Sequence, residues 1–267
     1  MQVLFLDGYN LIYRARNSFR QGENACTYSF FRSLRVLIEQ FTPDKAYLVL
    51  EGCPKQRLAL HKEYKGTRVH DKDDNFARQR AYIIQLLKDR FPIDVVRHAD
   101  YECDDVLAHL VKSHPEDECT VVSTDTDFLQ LYNDCDNVEI YNPVRKKVVE
   151  HPDCEYVLWK ALRGDGADNI PGFMGIGDKR ARTLVGDREA LAKFLNEGDE
   201  DRHAKLAKNI LLIRFHDLKE EELLTLERSS PVIDWEIVRS EFDSMEFGSI
   251  TNDKSWNKFI STFTILQ

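Results

Sequence analysis

The sequence predicts an α/β fold, in which a central and mostly parallel sheet is flanked by helices. Four short runs of apolar and β-branched residues, at 2–6, 46–50, 93–97 and 119–124, have the composition of buried strands. Segments with helical spacing of apolar residues separate these runs, which is the pattern of a parallel sheet. After Tyr156 the strand pattern ends, and the rest of the chain is predicted to be mostly helical.

The composition is that of a globular protein with more acids than bases. The 267 residues include 37 Lys and Arg against 46 Asp and Glu, a net charge of −9. This balance argues against a basic protein that coats DNA without specificity. It is compatible with a nucleic-acid enzyme whose acids hold metal ions and whose bases are clustered.

Cysteine spacing and hydropathy indicate an intracellular, soluble and reduced protein. The six cysteines include no C-x-x-C pair, so neither a zinc site nor a disulfide framework is predicted. The chain starts with a strand, without a charged region ahead of an apolar segment. No apolar run approaches the length of a bilayer-spanning helix.

The first two strands both end in an acid. Asp7 follows the first strand, and Gly8 allows a tight exit that directs the carboxylate beyond the sheet edge. Glu51 follows the second strand, after a helix predicted over 27–41. Open α/β sheets bind ligands at this edge, although a strand-capping role explains a single acid equally well.

An insertion over 54–80 is predicted to stand above the end of the sheet. Its stretch 55–68 holds five bases and one acid, a local charge of +4. Tyr64 beside these bases suits a nucleic-acid strand, because a base stacks on the ring while phosphates meet the cations. The alternative is a solvated surface segment. Residues 70–75 are predicted to form a mobile polar tip before a helix over 76–91.

Acids cluster again after the third and fourth strands. Three of them open the helix after the third strand: Glu102, Asp104 and Asp105. Side by side they repel one another unless a cation neutralises them. Asp125 and Asp127 follow the fourth strand, where the alternative is a helix N-cap and a favourable helix dipole.

The helical region begins with two acids and a glycine-rich loop. Asp165 and Asp168 lie three residues apart, so on a helix or tight turn they point the same way. The loop before the next helix contains three glycines: Gly172, Gly175 and Gly177. Such a loop exposes backbone groups that hold a phosphate or a monovalent cation, whereas the alternative is a simple interhelical turn.

Two further predictions concern packing. A hairpin over 138–141 and 147–149 is predicted at the edge of the sheet. Trp235 and Trp256 are predicted to be core residues of packed amphipathic helices rather than platforms for a ligand.

Together the acids predict catalysis. Eight carboxylates come from five separated places, four of which follow predicted strands: Asp7, Glu51, Glu102, Asp104, Asp125, Asp127, Asp165 and Asp168. A structural core does not tolerate such a set, because each ionised acid needs a partner. Oxygen ligands alone suit Mg²⁺ or Mn²⁺ rather than Zn²⁺. Two such ions serve phosphodiester hydrolysis, with Lys65 and Arg68 expected to offset transition-state charge.

The ordered motifs FLDGYNLIYRA, EYKGTR, YECDDVLA, STDTDF and LRGDGADNIPGFMGIGDKRA cover nearly the whole chain. On these motifs the chain resembles the structure-specific 5′-nucleases, the flap endonucleases and 5′→3′ exonucleases, in their small bacteriophage and bacterial form. The resemblance implies a helical arch over the site and a helix–hairpin–helix-like element that binds downstream duplex through a K⁺ ion held by its loop. It also implies two Mg²⁺ (or Mn²⁺) ions.

The resemblance carries roles over to individual residues. The eight carboxylates become the metal ligands, with Asp105 ranked below them, and Lys65 and Arg68 contact the scissile phosphate. The expected DNA-binding residues are those of the basic stretch and the glycine loop: Arg57, Lys62, Tyr64, Gly172, Gly175, Gly177 and Lys179. The chain departs from the family's usual pattern at Glu51, where Asp is usual, and at Tyr9, where a smaller or amide residue is common.

Three regions are expected. Residues 1–155 form the nuclease core with the arch at about 54–80, residues 156–230 form a helical DNA-binding lobe, and residues 231–267 pack back on the core. The expected protein is a monomeric, metal-dependent nuclease in the cytoplasm of a bacterium or a phage-infected host. It removes 5′ flaps or primers, including RNA–DNA primers, from branched or 5′-ended duplex DNA in replication or repair, and has no membrane partner.

Two alternatives remain open. A catalytically silent nucleic-acid-binding protein of the same fold explains the arch and the glycine loop. It does not explain the acids, because each uncompensated carboxylate repels DNA. An RNA-cutting nuclease with a similar acidic sheet fits the early motifs but not the stretch 164–182.

Overall fold

The computed structural model describes residues 1–18, 22–68, 73–197 and 201–266. Its strands are β1 (Gln2–Asp7), β2 (Lys45–Leu50), β3 (Asp94–Arg97), β4 (Glu118–Val122), β5 (Val138–Asn142), β6 (Lys147–Val148), β7 (Gly164–Asp165), β8 (Ile170–Pro171) and β9 (Glu227–Arg228). The helices before the glycine loop are α1 (Gly8–Arg16), α2 (Ala25–Phe41), α3 (Lys55–Leu60), α4 (Asp74–Arg90), α5 (Cys103–Lys112), α6 (Leu131–Asp134) and α7 (Tyr156–Arg163).

The helices after that loop are α8 (Asp178–Gly186), α9 (Arg188–Asn196), α10 (Arg202–Ile213), α11 (Glu220–Leu223), α12 (Trp235–Ser244), α13 (Gly248–Thr251) and α14 (Asp253–Phe263). Two 3₁₀ helices cover Thr126–Gln130 and Thr264–Leu266. Within the described ranges, no helix is long and apolar enough to cross a membrane. All six cysteines are free, as their spacing predicted.

In the described residues, one seven-stranded sheet organises the core, in the order β6-β5-β4-β1-β2-β3-β9. Its five central strands are parallel, and β6 and β9 run antiparallel at the two edges. The α/β class, the four strands that precede acids and the edge hairpin are therefore confirmed. Because β4, β1, β2 and β3 are parallel neighbours, the segments after them leave the sheet at one edge.

The structure adds three short strands that the sequence did not predict. β9 pairs with β3, where Arg228 lies opposite Val96, and β7 pairs with β8 in a separate two-stranded sheet. Each of these strands has two residues, too few to show an alternating pattern. The prediction that no strand follows Tyr156 is therefore wrong in detail, although the region is mostly helical.

Residues 73–75 correct the predicted polar tip. Asp73 is the N-cap of α4, and its side chain accepts a hydrogen bond from the Phe76 backbone N–H, so the helix begins at Asp74 instead of Phe76. This is the N-cap preference of aspartate. The rest of the predicted tip, residues 70–72, lies outside the described residues.

Helices cover both faces of the sheet. The first face packs α1, α2 and α4 together with the C-terminal helices, and the second packs α5 and residues 215–218. A Cβ added at Gly8 would lie 2.7 Å from the Val49 carbonyl oxygen, so glycine is required where α1 starts against β2. A third cluster joins α7, α8 and α10 and forms the helical lobe.

The C-terminal helices are held by aromatic rings. Phe259 is 1% exposed, and its ring centroid lies 5.3 Å from that of Trp256 and 6.2 Å from that of Phe91. Trp256 is buried, and the partly buried Trp235 packs against Phe91 at 5.4 Å. Both tryptophans are thus core residues, as predicted.

Replacing Phe259 with alanine is expected to destabilise the whole protein. Removal of a buried phenylalanine side chain costs about 3–5 kcal/mol through lost transfer energy and a residual cavity. Ile265→Ala is the matched control, because Ile265 is 44% exposed, and its cost should be within about 0.5 kcal/mol. Urea unfolding of the two variants makes the measurement, and equal costs would show that the C-terminal helices do not pack as described.

Candidate active site

Four acids line one cleft at the carboxyl ends of the parallel strands. The cleft has a volume of about 1320 Å³ and is also lined by the two cationic residues predicted to be catalytic, Lys65 and Arg68. Its acids come from the ends of β1, β2 and β4 and from the start of α5, and we name them the first acidic group: Asp7, Glu51, Asp104 and Asp125. The predicted convergence of strand-end carboxylates is therefore observed.

Local structure fixes these carboxylates. Asp7 accepts hydrogen bonds from the Asn10 backbone N–H at 3.1 Å and from Ser123 Oγ at 2.7 Å. Glu51 accepts one from the Cys103 backbone N–H at 3.0 Å. Asp125 is an N-cap that accepts from the Asp127 N–H at 2.9 Å. Each of these acids thus accepts a hydrogen bond from the backbone and still lines the cleft, so the capping role and a place in the site are compatible.

Burial makes the first acidic group hard to ionise. Burial raises the pKa of Asp7 to about 6. Burial also raises the pKa of Glu51 to about 7, where the Lys65 ammonium opposes the shift and the Glu102 carboxylate adds to it. Burial and then the Asp125 carboxylate raise the pKa of Asp104 well above its ordinary value. In the described chain, none of the four forms an ion pair with Lys or Arg. A bound cation would relieve this repulsion.

A second acidic group lies beside the first. Ligand oxygens of Asp127, Asp165 and Asp168 lie within 4.8 Å of one another. Lys160 Nζ lies 2.6 Å from Asp165 Oδ2 and also bonds to Asp127. Burial alone would raise the pKa of Asp165, but the Lys160 ammonium outweighs it and the pKa is lowered. The two groups therefore differ in how their charge is compensated.

Glu102 is placed among cations. It is 1% exposed, and Oε2 accepts hydrogen bonds from Arg57 at 2.8 Å and from the Tyr64 hydroxyl at 2.9 Å, while Lys65 bonds to Oε1. Asp105 is fully buried and pairs with Arg57 through both oxygens, at 2.6 and 2.8 Å. Asp105 is thus a structural partner of Arg57, in line with its lower rank as a metal ligand.

Two predicted DNA contacts are contradicted. Arg57 is 3% exposed, and its guanidinium is used by Glu102, Asp105 and backbone carbonyls. Tyr64 is 5% exposed, and its hydroxyl donates to Glu102 and to Asp168, so no base stacks on its ring in this arrangement. A charge count along the chain does not reveal that a cation or an aromatic is used inside the protein. Lys62 is exposed, and its DNA contact stays a prediction.

Lys65 and Arg68 face the acids. Lys65 bonds to Glu102 and lies 3.9 Å from Asp168, and Arg68 bonds to Asp168 at 2.7 Å. Burial would lower the pKa of Lys65, but the Glu102 and Asp168 carboxylates raise it to about 12. Both side chains therefore carry positive charge at neutral pH at the wall of the cleft.

The three glycines of the loop have different roles. A Cβ at Gly172 would lie 1.9 Å from the Arg163 carbonyl oxygen, so Gly172 allows β7 and β8 to approach. Gly175 is exposed with a φ of +74°, where a side chain brings strain. Gly177 is the exposed N-cap of α8, and Lys179 lies exposed in its first turn. Gly175, Gly177 and Lys179 are thus on the surface, while Gly172 serves packing.

Sequence reasoning missed three residues that hold the site. Ser123 fixes Asp7, and Lys160 with Tyr156 holds Asp127, whose Oδ1 accepts from the Tyr156 hydroxyl at 2.9 Å. Tyr156 and Lys160 are four residues apart, on one helix face. A lysine inside the otherwise apolar run YVLWKAL was the available signal.

The donor set fits divalent cations. All candidate ligands are carboxylate oxygens, which hard cations such as Mg²⁺ and Mn²⁺ prefer. Burial is the main cause of the raised pKa values of Asp7, Glu51 and Asp104, and neighbouring carboxylates add to it. The second group has its ligand oxygens gathered within 4.8 Å, whereas the first group has no ion-paired cation in the described chain.

Comparison with known proteins agrees with this geometry. The family model described as "5'-3' exonuclease, N-terminal resolvase-like domain" matches residues 2–160. DNA polymerase I of Bacillus subtilis is 30% identical over 253 residues, which cover 86% of this chain and 28% of that protein. The thermostable DNA polymerase I of Thermus aquaticus is 30% identical over 285 residues, covering 94% and 33%. The chain thus spans about a third of the length of these relatives or less.

A solved structure shares the fold over the full length. The bacteriophage T5 D15 flap endonuclease, in a pseudo-enzyme–product complex with DNA and metal ions, superposes with a TM-score of 0.65. It is 20% identical and covers 100% of this chain and 99% of its own. At this identity the likeness shows the fold.

Without divalent cations, the protein is expected to lose stability as pH rises from about 5 to 8. An ordinary carboxyl group titrates near pH 4, whereas Glu51 has a pKa of about 7. Between these values the folded chain holds protons that the unfolded chain has released, so the free energy of unfolding falls as pH rises. The loss should be on the order of 1–3 kcal/mol. Thermal unfolding in the presence of a chelator measures it.

Glu51→Gln should make this slope shallower, and Glu63→Gln, at an exposed site, should not. Burial lowers the pKa of His109 and His216, and these groups change stability in the opposite direction. The decisive quantity is therefore the difference in slope between the variants. A Glu51→Gln slope equal to that of the parent would contradict the raised pKa.

Proposed function

We propose that the chain, which belongs to the 5′–3′ exonuclease family, is a metal-dependent nuclease that cuts DNA near 5′ ends at flaps, nicks and branch points. The observation that carries the proposal is the arrangement of acids and bases around one cleft. Two acidic groups lie side by side, and Lys65 and Arg68 face them from the segment above the sheet. When a nucleic acid enters the cleft, the acids can hold the divalent cations and the two basic side chains can neutralise its phosphates.

We further propose the finer features that the family resemblance implies. The metal ions are two Mg²⁺ or Mn²⁺, and a K⁺ ion lies at the loop 172–177. The protein acts as a monomer, with residues 1–155 as core, 156–230 as DNA-binding lobe and 231–267 packed on the core. Removal of flaps or RNA–DNA primers in replication or repair is part of the proposal, since DNA polymerase I relatives contain a similar segment.

In this proposal the carboxylates hold the metal ions, the first acidic group one and the second the other. Bound divalent cations supply an activated water and neutralise charge on the phosphate. Ser123 keeps Asp7 oriented, and Tyr156 keeps Asp127 oriented. Lys65 and Arg68 exchange their carboxylate partners for phosphate oxygens when DNA arrives, because both are charged and line the same cleft.

The proposal is tested by cleavage of 5′-flap, nicked and blunt DNA duplexes with and without Mg²⁺. We expect cleavage near the 5′ end, and we expect this cleavage to require Mg²⁺ and to be lost in the Asp104→Asn variant. Binding without cutting of any substrate would favour the silent binding protein. Cutting of RNA duplexes alone would favour the RNA-cutting relative.

Lys65→Met is expected to lower the single-turnover cleavage rate by about 10²-fold, as loss of a preorganised cation commonly does. Its dissociation constant for DNA should change much less, because the cation acts mainly on transition-state charge. Lys62→Met is the control, since Lys62 is exposed three residues away, and its effect should appear in binding alone. A Lys65→Met rate within a few-fold of the parent at saturating enzyme would leave Lys65 as one phosphate contact among several.

Gly175→Val should weaken binding of duplex-containing substrates more than binding of short single strands. A side chain at φ +74° is strained, and a bulky one also blocks backbone approach to a phosphate. Gly172→Ala separates this from packing, since its Cβ would overlap the Arg163 carbonyl and should lower the unfolding temperature instead. Equal losses on duplex and single-stranded substrates in Gly175→Val would contradict a duplex-specific role.

A further inference from the structure

Lys160 is a buried cation inside the acidic site. It lies on α7 and is 5% exposed. Its Nζ lies 2.6 Å from Asp165 Oδ2 and also bonds to Asp127 Oδ1. Both acids belong to the second acidic group, whose ligand oxygens lie within 4.8 Å of one another. An ammonium therefore already occupies part of the space among these carboxylates.

The first acidic group has no equivalent cation. In the part of the chain that the structure describes, Asp7, Glu51, Asp104 and Asp125 form no ion pair with Lys or Arg. Their hydrogen bonds come from the Ser123 hydroxyl, the Cys103 thiol and backbone N–H groups, which are all neutral. The two neighbouring groups thus differ in their cations: the second group contains a paired ammonium, whereas Lys65 acts on Glu51 of the first group only as a nearby charge.

Lys160 is also less able to leave its acids than Arg68. Its neighbours on α7, Ala161 and Leu162, are fully buried, and an ammonium in such a place is tolerated only while it is paired. Arg68, by contrast, is 52% exposed at the side chain and lies outside helices and strands. Entry of phosphate can draw Arg68 away from Asp168, whereas Lys160 stays beside Asp127 and Asp165.

We propose that Lys160 sets the affinity of the second acidic group for a divalent cation. Its positive charge lowers that affinity, and its two ion pairs keep Asp127 and Asp165 together while no metal is bound. The inference rests on the proposed function, because it takes these acids as metal ligands. The first group then fills at a lower cation concentration than the second, and Lys160 is a positioning residue that separates the two steps.

The experiment is a titration of the metal-free protein with Mn²⁺, in which electron paramagnetic resonance counts the free ion. The parent protein should show a tight and a weak class of site. Lys160→Met removes the charge but keeps an unbranched side chain, and the weak class should tighten by about tenfold or more. Lys160→Gln should do the same, and Lys160→Arg, which keeps the charge, should resemble the parent. Asp165→Asn identifies the weak class by removing it.

Thermal unfolding distinguishes this role from a purely structural one. Without metal, Lys160→Met should unfold at a lower temperature than the parent, because two partly buried acids lose their partner. Saturating Mn²⁺ should then stabilise the variant more than it stabilises the parent. A variant destabilised equally with and without Mn²⁺, and with unchanged Mn²⁺ affinity, would overturn the inference. Absence of any Mn²⁺ binding by the parent would instead reject the proposed function itself.

Discussion

Repulsion among carboxylates at one edge of the sheet is the constraint on which the site depends. Parallel pairing of β1, β2 and β4 brings Asp7, Glu51 and Asp125 to the same edge, and ionised acids so placed disfavour one another's charge. The fold tolerates this because the large apolar clusters on both faces of the sheet hold the backbone in place. The carboxylates that repel one another thus line the cleft, where bound cations reduce the repulsion.

The acids are compensated to three different degrees, and position in the fold decides which. Asp105 is fully buried and has a permanent guanidinium partner in Arg57. The second acidic group shares the fixed ammonium of Lys160 with the more exposed cation of Arg68. The first acidic group has only neutral hydrogen-bond donors among the described residues. The number of paired cations for each acid therefore falls from Asp105 in the interior, through the second acidic group, to the first acidic group in the cleft.

The sequence was sufficient to predict the sheet and the acids, but not their partners. Strand-end acids follow from local pattern and parallel topology, so the sequence alone predicts the positions of Asp7 and Asp125. Ion pairs depend on distant neighbours. Arg57 and Arg68 look alike in a basic stretch, yet α3 directs Arg57 inward to Asp105, while Arg68 remains half-exposed. Lys160 was missed for the same reason, because its two carboxylates lie elsewhere in the chain. β9 was missed because two polar residues carry no periodic signal.

Arg57 links the charge of the site to the placement of the helical lobe. Its five N–H donors are all used: Nε reaches the Leu212 carbonyl at 2.8 Å, one terminal nitrogen bonds to Glu102 and Asp105, and the other bonds to Asp105 and the Arg214 carbonyl. Leu212 lies in the last turn of α10 and Arg214 directly follows it, where carbonyls lack helical partners and a cation is favoured. The planar fork of an arginine suits this geometry, and a lysine has too few donors for it. One side chain therefore neutralises two interior acids and ends a helix of the lobe, which fixes that lobe relative to the acids it helps to surround.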